Sequence, residues 1–396
     1  MPISRMTTMT KGSAWPGRTP MARPTRAGSA APSAGTTPSA STSSSDAASA
    51  APVARVQQPI TGADPITLSF VGDVHFERNL APVATDPQGM APLKKLLSKA
   101  DFTIANLESA ITDGGGSPQP DKQFTFHAPS SAFTTMANAG IDVAGMANNH
   151  SGDYNTGGLK DTLAAIKKAP LKVIGIGANA DEANAPLVLE KDGVTIALLN
   201  ASALWEKTTE FHTASATNPG IAAVGVEARP EANARFLAAV RDAAARYDVV
   251  IPFLHYGTEL ETCATAKQKA LVDTLRKAGA DAIIGGHSHR VQAGGWLGNT
   301  YVDYGLGSFT WWMRGSDPTT GFLTISIDKA RVQAKRDALA AGSAADAASV
   351  VSKEAWTPME IGTSGLPFLV GESTAAKYLA KRDALRSCSG DLRSTP

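Results

Sequence analysis

The chain has 396 residues, 43% of them hydrophobic, and 37 Lys and Arg stand against 36 Asp and Glu for a formal net charge of +1. That is ample apolar material for a large buried core, while near-neutral charge gives no support for a nucleic-acid or anionic-membrane partner. No stretch approaches the roughly 20 consecutive apolar residues of a membrane span.

Met1 to about Gln58 is rich in Ser, Ala, Thr and Pro, with almost no Leu, Ile or Phe. Such a stretch buries too little apolar surface to offset its ordering entropy, so residues 1–60 are expected to be disordered. Its basic start (Arg5, Lys11, Arg18, Arg23, Arg26) resembles a signal n-region, but no hydrophobic h-region follows. Ala27 to Ala54 looks like a spacer that tethers a domain to a cell surface. A surface or secreted location is therefore expected, with no export signal visible.

From Ile66 the pattern becomes periodic. Ile66 to Val71 alternates, then runs apolar into Gly72-Asp73, as a strand would that delivers Asp73 to its end. Leu93–Lys99 reads as a short amphipathic helix, and Asp101–Leu107 as a strand ending on Glu108. A helix over Ser131–Ala139 stops at Gly140, and a strand over Ile141–Ala147 ends on Asn149-His150. Gly158–Lys168 is helical and Leu171–Ile176 extended. The second half repeats the logic: strand Val194–Leu199, helix Pro230–Arg246, strand Asp248–Leu254 ending on His255, helix Ala266–Ala278. Ala282–Ile284 then leads into Gly285-Gly286-His287-Ser288-His289, and Tyr301–Tyr304 and Phe322–Ile327 look like closing strands. Two facing sheets with helices outside give an α+β class, an αββα four-layer sandwich, over residues 61–330. Residues 331–396 are expected to be a C-terminal extension packed on that domain, an Ala- and Lys/Arg-rich helix giving way around Trp356-Thr357-Pro358 and Leu366-Pro367 to an extended segment lying over it.

Five of the seven histidines fall in four short motifs: Asp73-Val74-His75, Asn149-His150, His255-Tyr256-Gly257 and His287-Ser288-His289. Each lies just past a predicted strand end, where open α/β sheets gather ligands. Imidazole and carboxylate together suit divalent cations. Any one motif alone has a bland explanation; Asp73 could cap a strand end and Asn149 could form a turn. The whole set converging on one face does not. Cys263 and Cys388 are compatible with one long-range bridge or with two inert thiols.

The order Asp-x-His, acid, Asn-His, His, His-x-His resembles the ligand order of the calcineurin-like metallophosphoesterases. That resemblance implies a metallophosphatase-like fold and two divalent ions (Mn, Zn, Fe or Mg). Asp73, His75, Glu108 and His289 would hold the first; Glu108, Asn149, His255 and His287 would hold the second. His150 would be the general acid toward the leaving oxygen. More closely, Gly72-Asp73, Asn106-Leu107-Glu108, Lys122-x-Phe124-Thr125-Phe126, Ala147 to His150 with Asp153, His255-x-Gly257-x-Glu259 and Tyr304 to Phe309 are similar to the CapA/PgsA family of poly-γ-glutamate capsule proteins. This implies a surface role, an anionic polymer or phosphoester substrate, and membrane-bound poly-γ-glutamate synthase components as partners. The alternative is a non-catalytic component of polymer synthesis or export that keeps the fold.

Phosphoesterases place Asp at the bridging position where this chain has Glu108, and the family often has Arg at His127 and Asn at Ser308. His75 completes an Asp-x-His pair that many relatives lack. Asp153 would either pair with His150 or cap the helix near Gly157, capping being preferred for that one residue. Glu259 would orient His255 or be a solvated loop acid. Trp205, Trp311 and Trp312 are candidates for the mouth of a cleft.

Overall fold

In the computed structural model, residues 57–312, 317–343 and 348–396 are described. The low-complexity segment expected to be disordered lies, up to residue 56, outside the described residues.

The chain builds half of one sheet, then all of a second, then returns to complete the first. Strands β1 (Ile66–Val74), β2 (Phe102–Leu107), β3 (Val143–Gly145) and β4 (Lys172–Ile174) pair in parallel, each offset by one position. Between them run helices α1 (Ser131–Asn138) and α2 (Asn155–Ile166). The second sheet has six strands: β5 (Leu187–Lys191), β6 (Val194–Ser202), β7 (Val249–Tyr256), β8 (Ala282–His287), β9 (Gly294–Leu297) and β10 (Thr300–Asp303). Helices α3 (Pro230–Arg246) and α4 (Ala266–Lys277) cover its outer face. The last part returns with β11 (Ser308–Thr310), β12 (Thr319–Ile327), α5 (Lys329–Ala340), β13 (Val351–Ile361), β14 (Pro367–Leu369) and α6 (Glu372–Ala384). The first sheet then runs β14-β13-β12-β1-β2-β3-β4, with β11 parallel to β1.

Period-2 alternation explains the layering. Ile66, Leu68 and Phe70 of β1, with Ile104 of β2, meet Ile196, Leu198, Ile251, Phe253 and Ile284 across the sheet–sheet interface. The opposite faces carry Val71, Ala105 and Leu107 against the α1–α2 side, and Val250, Leu254 and Ile283 against α3 and α4. Four apolar-faced layers result, as the periodicity required. Helix ends are set locally: Pro230 opens α3, and a Thr265–Gln268 capping box opens α4.

The C-terminal part differs from expectation. Instead of lying over the domain, residues 351–361 form a strand antiparallel to β12 inside the first sheet. Pro358 and the charged pair Lys353-Glu354 had masked its strand character. Buried Arg382 of α6 is ion-paired to Asp303 at 2.6 Å and to Glu354 at 3.2 Å, which docks the helix. Cys263 and Cys388 are disulfide-bonded, 125 residues apart in sequence. By chain entropy such a closure contributes on the order of 4–5 kcal/mol.

Candidate metal centre

The C-terminal ends of β1, β2 and β3 in one sheet face those of β7 and β8 in the other. At the end of β1 the pairing register with β2 slips between Val71 and Asp73, a bulge of the kind that re-aims a side chain beside a site. Gly72 is required there, because a Cβ would lie 1.8 Å from the Gly307 carbonyl oxygen. The bulge delivers Asp73 into the gap between the sheets. On β7 the inward positions 249, 251 and 253 continue to His255. On β8 the inward position falls on Gly286, whose Cβ would sit 2.8 Å from Asp73 Oδ1. The chain then bends sharply: His287 and His289 have φ of 88° and 51°. Such non-glycine conformations cost about 1–3 kcal/mol each and persist where surroundings over-determine them, commonly at functional sites.

Asp73 is saturated. Its Oδ1 accepts from Asn106 Nδ2 at 2.8 Å, its Oδ2 lies 3.1 Å from His289 Nδ1, and the His287 N–H points at both oxygens from 3.2–3.4 Å. Burial raises its pKa, but the His289 hydrogen bond and charge, with His255 and Asn106, hold it below the ordinary value.

Glu108 is the opposite case. It is fully buried and neither carboxylate oxygen has a hydrogen-bond partner. His255 Nε2 lies 3.3 Å and His150 Nε2 3.7 Å from its Oε1. Burial, then the Asp73 charge, drives its carboxyl well above the usual range. His287 Nδ1 is likewise buried without a partner. Among the described residues, ligand atoms of Glu108, His287 and His289 lie within 4.8 Å of one another. Two orphaned carboxylate oxygens with two imidazoles gathered around them in a buried space fit a divalent cation.

Around this point the other expected residues assemble. His255 Nε2 is 2.7 Å from Asn149 Oδ1 and 3.3 Å from Glu108 Oε1, while Asn106 Nδ2 faces its Nδ1 at 3.1 Å, so Nε2 is the nitrogen on the Glu108 side. Burial lowers the His255 pKa to about 4 and holds His287 well below its ordinary value. For His289 burial acts downward, but Glu108 and Asp73 prevail and raise it.

His150 turns Nδ1 to Asp153 Oδ2 at 2.6 Å, leaving Nε2 on the Glu108 side. Asp153 also accepts from the Phe126 N–H at 2.6 Å and from Lys122 Nζ at 2.5 Å, and burial raises its pKa to about 7. Helix α2 gets no side-chain cap; its N-cap position is Tyr154. Asp153 is thus a partner of His150 and not the helix cap preferred from sequence, because burial beside Lys122 makes the side-chain pair the better use of its oxygens.

His75 stands outside the converging set. Its ring stacks on Phe126 at 4.9 Å and meets Trp311 edge-on at 4.2 Å, while its Nδ1 and Nε2 face the backbone N–H groups of Glu77 (3.1 Å) and Trp312 (3.3 Å). A neutral imidazole accepts at one nitrogen only, so one of these two contacts is a hydrogen bond. Glu259 is exposed, and both nitrogens of His255 are met by Asn106 and Asn149 instead. Of the three tryptophans, Trp311 is buried against His289, Trp312 lies under Arg78 at 3.9 Å, and Trp205 is exposed. Trp205 edges a separate groove of about 1070 Å³ between α3 and α4.

Three supporting residues were not assigned roles from sequence. Asn106 links Asp73, His255 and Asn148. Asn148 Oδ1 accepts from the N–H groups of His150 and Ser151, so it forms the turn and frees the Asn149 amide. Lys122 ties Asp153 to the Asn149 carbonyl. Their sequence signal was their place in the motifs that carry the family resemblance, which assigns them no role.

Residues 67–311 match the family described as "Bacterial capsule synthesis protein PGA_cap". The chain belongs to this family. It is 28% identical over 262 residues to the PGA biosynthesis protein CapA of Bacillus subtilis, a match covering 64% of this chain and 66% of that one. It is 26% identical over 262 residues to the capsule biosynthesis protein CapA of Bacillus anthracis, covering 64% and 62%. The chain thus spans just under two thirds of each relative's length. Among solved structures it is similar to the NAD nucleotidase NadN of Haemophilus influenzae, with a TM-score of 0.42 and 12% identity over 83% of this chain and 60% of that one. A hypothetical protein of Thermus thermophilus gives a TM-score of 0.39 and 16% identity, over 66% and 93%. Among the described residues of this capsule-synthesis family member, no helix is long and apolar enough to cross a membrane.

Proposed function

We propose that this capsule-synthesis family member is a metal-dependent hydrolase of phosphoester type, acting at the bacterial cell surface on an anionic polymer or a phosphoester. The observation that carries the reading is the buried Glu108 carboxylate, unpartnered at both oxygens, with ligand atoms of His287 and His289 within 4.8 Å. Burying such groups unpaired is costly, and cation ligation removes the cost. Glu108 would bridge two divalent ions, with Asp73 and His289 on one side and Asn149, His255 and His287 on the other. Bound there, the ions would activate water as a nucleophile and neutralise developing charge. The protein's own part is positioning and proton transfer: Asp153 fixes His150 Nδ1, so Nε2 faces the centre, and although burial lowers the His150 pKa, the imidazolium would protonate the leaving oxygen from Nε2.

A second reading has His75 in its favour. With both its nitrogens turned to backbone N–H groups, one expected ligand is withheld. The fold would then serve as a non-catalytic component beside membrane-bound poly-γ-glutamate synthase components.

Manganese or zinc titration of the full chain, followed by phosphodiester turnover, separates the two. About two ions per chain and turnover support the hydrolase; bound metal without turnover supports the second reading; no bound metal removes the first. His150→Ala should keep its metal and lose roughly 10²–10⁴-fold in rate on an alkyl leaving group. An activated aryl ester, which needs no proton on leaving, should be much less affected. Equal losses on both would argue against the acid role.

A further inference from the structure

The disulfide and the His287–His289 loop are the two ends of a short chain of contacts. Cys388 follows α6, and its carbonyl accepts from Lys269 Nζ of α4 at 2.9 Å, while Arg386 Nε donates to the Gly294 carbonyl at 2.7 Å. The C-terminal end is thereby fixed to α4 and β9. Its disulfide partner Cys263 lies in the 257–265 loop that joins β7 to α4. Three residues before Cys263, the Leu260 N–H donates to the carbonyl of Ser288 at 2.7 Å, and Ser288 is the residue between the two candidate ligands. The next carbonyl, that of Glu261, accepts from Gln292 Nε2 at 2.9 Å. Leu260, His287 and His289 all hold left-handed backbone, with φ of 65°, 88° and 51°. Three strained positions at one contact persist only if the surroundings hold them, and the covalent end of the 257–265 loop is the Cys263 sulfur.

We propose that the Cys263–Cys388 disulfide is a positioning element of the metal centre: it fixes the 257–265 loop, so that Leu260 holds Ser288 and keeps the rings of His287 and His289 against Glu108. The proposal rests on the metal reading above. Metal occupancy would then depend on an oxidising environment. Reduction by a dithiol delivers two electrons and two protons to the sulfurs, giving two thiols and the dithiol's own cyclic disulfide; no other bond in the protein changes.

The test is Mn²⁺ titration at 20 °C of three forms of the full chain: oxidised wild type, reduced wild type freed of dithiol under nitrogen, and C263A/C388A. Folding of each is checked by circular dichroism and cooperative urea unfolding. The two bond-less forms should stay folded, bind Mn²⁺ about 10-fold or more weakly, as for loss of a ligand's support, and exchange the Leu260 amide, which donates to Ser288, faster. Reoxidation should restore affinity to the reduced wild type and not to the variant. Equal Mn²⁺ affinity in all three forms overturns the proposal. So does global unfolding of both bond-less forms, because the bond then serves the whole fold. Absence of binding in oxidised wild type strikes the metal reading itself, and is distinguishable from binding that is insensitive to the bond.

Discussion

Asp73 and Glu108 close neighbouring parallel strands of one sheet, both fully buried, in opposite surroundings. Around Asp73 the protein supplies an amide, an imidazole and a backbone N–H. Around Glu108 it supplies no hydrogen bond. Burial acts upward on both carboxyls, yet the first ends below its ordinary pKa and the second well above it. A buried carboxylate that the protein completes is part of the scaffold. One it leaves incomplete, amid imidazoles, lacks the charge that would complete it, and a cation there would also reach the Asp73 carboxylate already held in place beside it.

Replacing Glu108 by Gln should break the contrast most severely. Metal affinity should fall by about 10²-fold or more, beyond what loss of a supporting residue costs. Without metal the order inverts. A carboxyl whose folded pKa lies above its ordinary value of 4.5 keeps a proton that the unfolded chain has lost, so its contribution to stability declines as pH rises from there. Metal-free wild type should therefore lose stability relative to Glu108→Gln as pH rises above 4.5 toward the folded pKa. Urea unfolding of both proteins across pH reads this directly, and parallel pH profiles would show that Glu108 is not the strained group. Added Mn²⁺ should restore the advantage of wild type.

A smaller effect is expected at the support of His150. Lys122→Met removes the ammonium from buried Asp153 and from the Asn149 carbonyl. Loss of a hydrogen bond to a charged group should lower stability by about 1.5–3 kcal/mol, seen as a lower urea midpoint at unchanged slope. An unchanged midpoint would mean that Lys122 is not paired in solution.

The smallest effect on metal belongs to His75→Phe. Its ring packs among Phe126, Trp311 and Trp312, so Phe keeps the aromatic contacts, while losing the acceptor for a backbone N–H should cost about 1–3 kcal/mol of stability. Mn²⁺ stoichiometry should be unchanged. Loss of one ion per chain would return His75 to the ligand set and weaken the second reading.

Legibility followed range. Strand ends carrying Asp73, Glu108, Asn149 and His255 could be read because period-2 alternation is local and stops where the chain leaves the sheet. Helix α3 was read to its last residue, since Pro230 and an apolar stripe through Phe236, Val240 and Ala243 mark it locally. The segment around Trp356 to Pro358 was expected to be extended but to lie over the domain; that it pairs inside the first sheet depends on its remote partner β12. Asp-x-His spacing suggested that Asp73 and His75 act together. On a regular strand they would share a face, but the register shift between Asp73 and Val74 against β11 and the stacking of His75 on Phe126 separate them.

By itself the sequence determined the layers, the strand ends and the kinds of ligand, because alternation, glycine placement and side-chain chemistry act over a few residues. Only the tertiary structure decided which of those ligands meet. It gave His255 to two amides instead of to Glu259, gave Asp153 to His150 and Lys122 instead of to a helix end, and chose the bridge between Cys263 and Cys388. Each of these is a competition for hydrogen-bond partners or contacts between residues remote in the chain. Such competitions are settled by burial and by a few ångströms of placement, which no local pattern records.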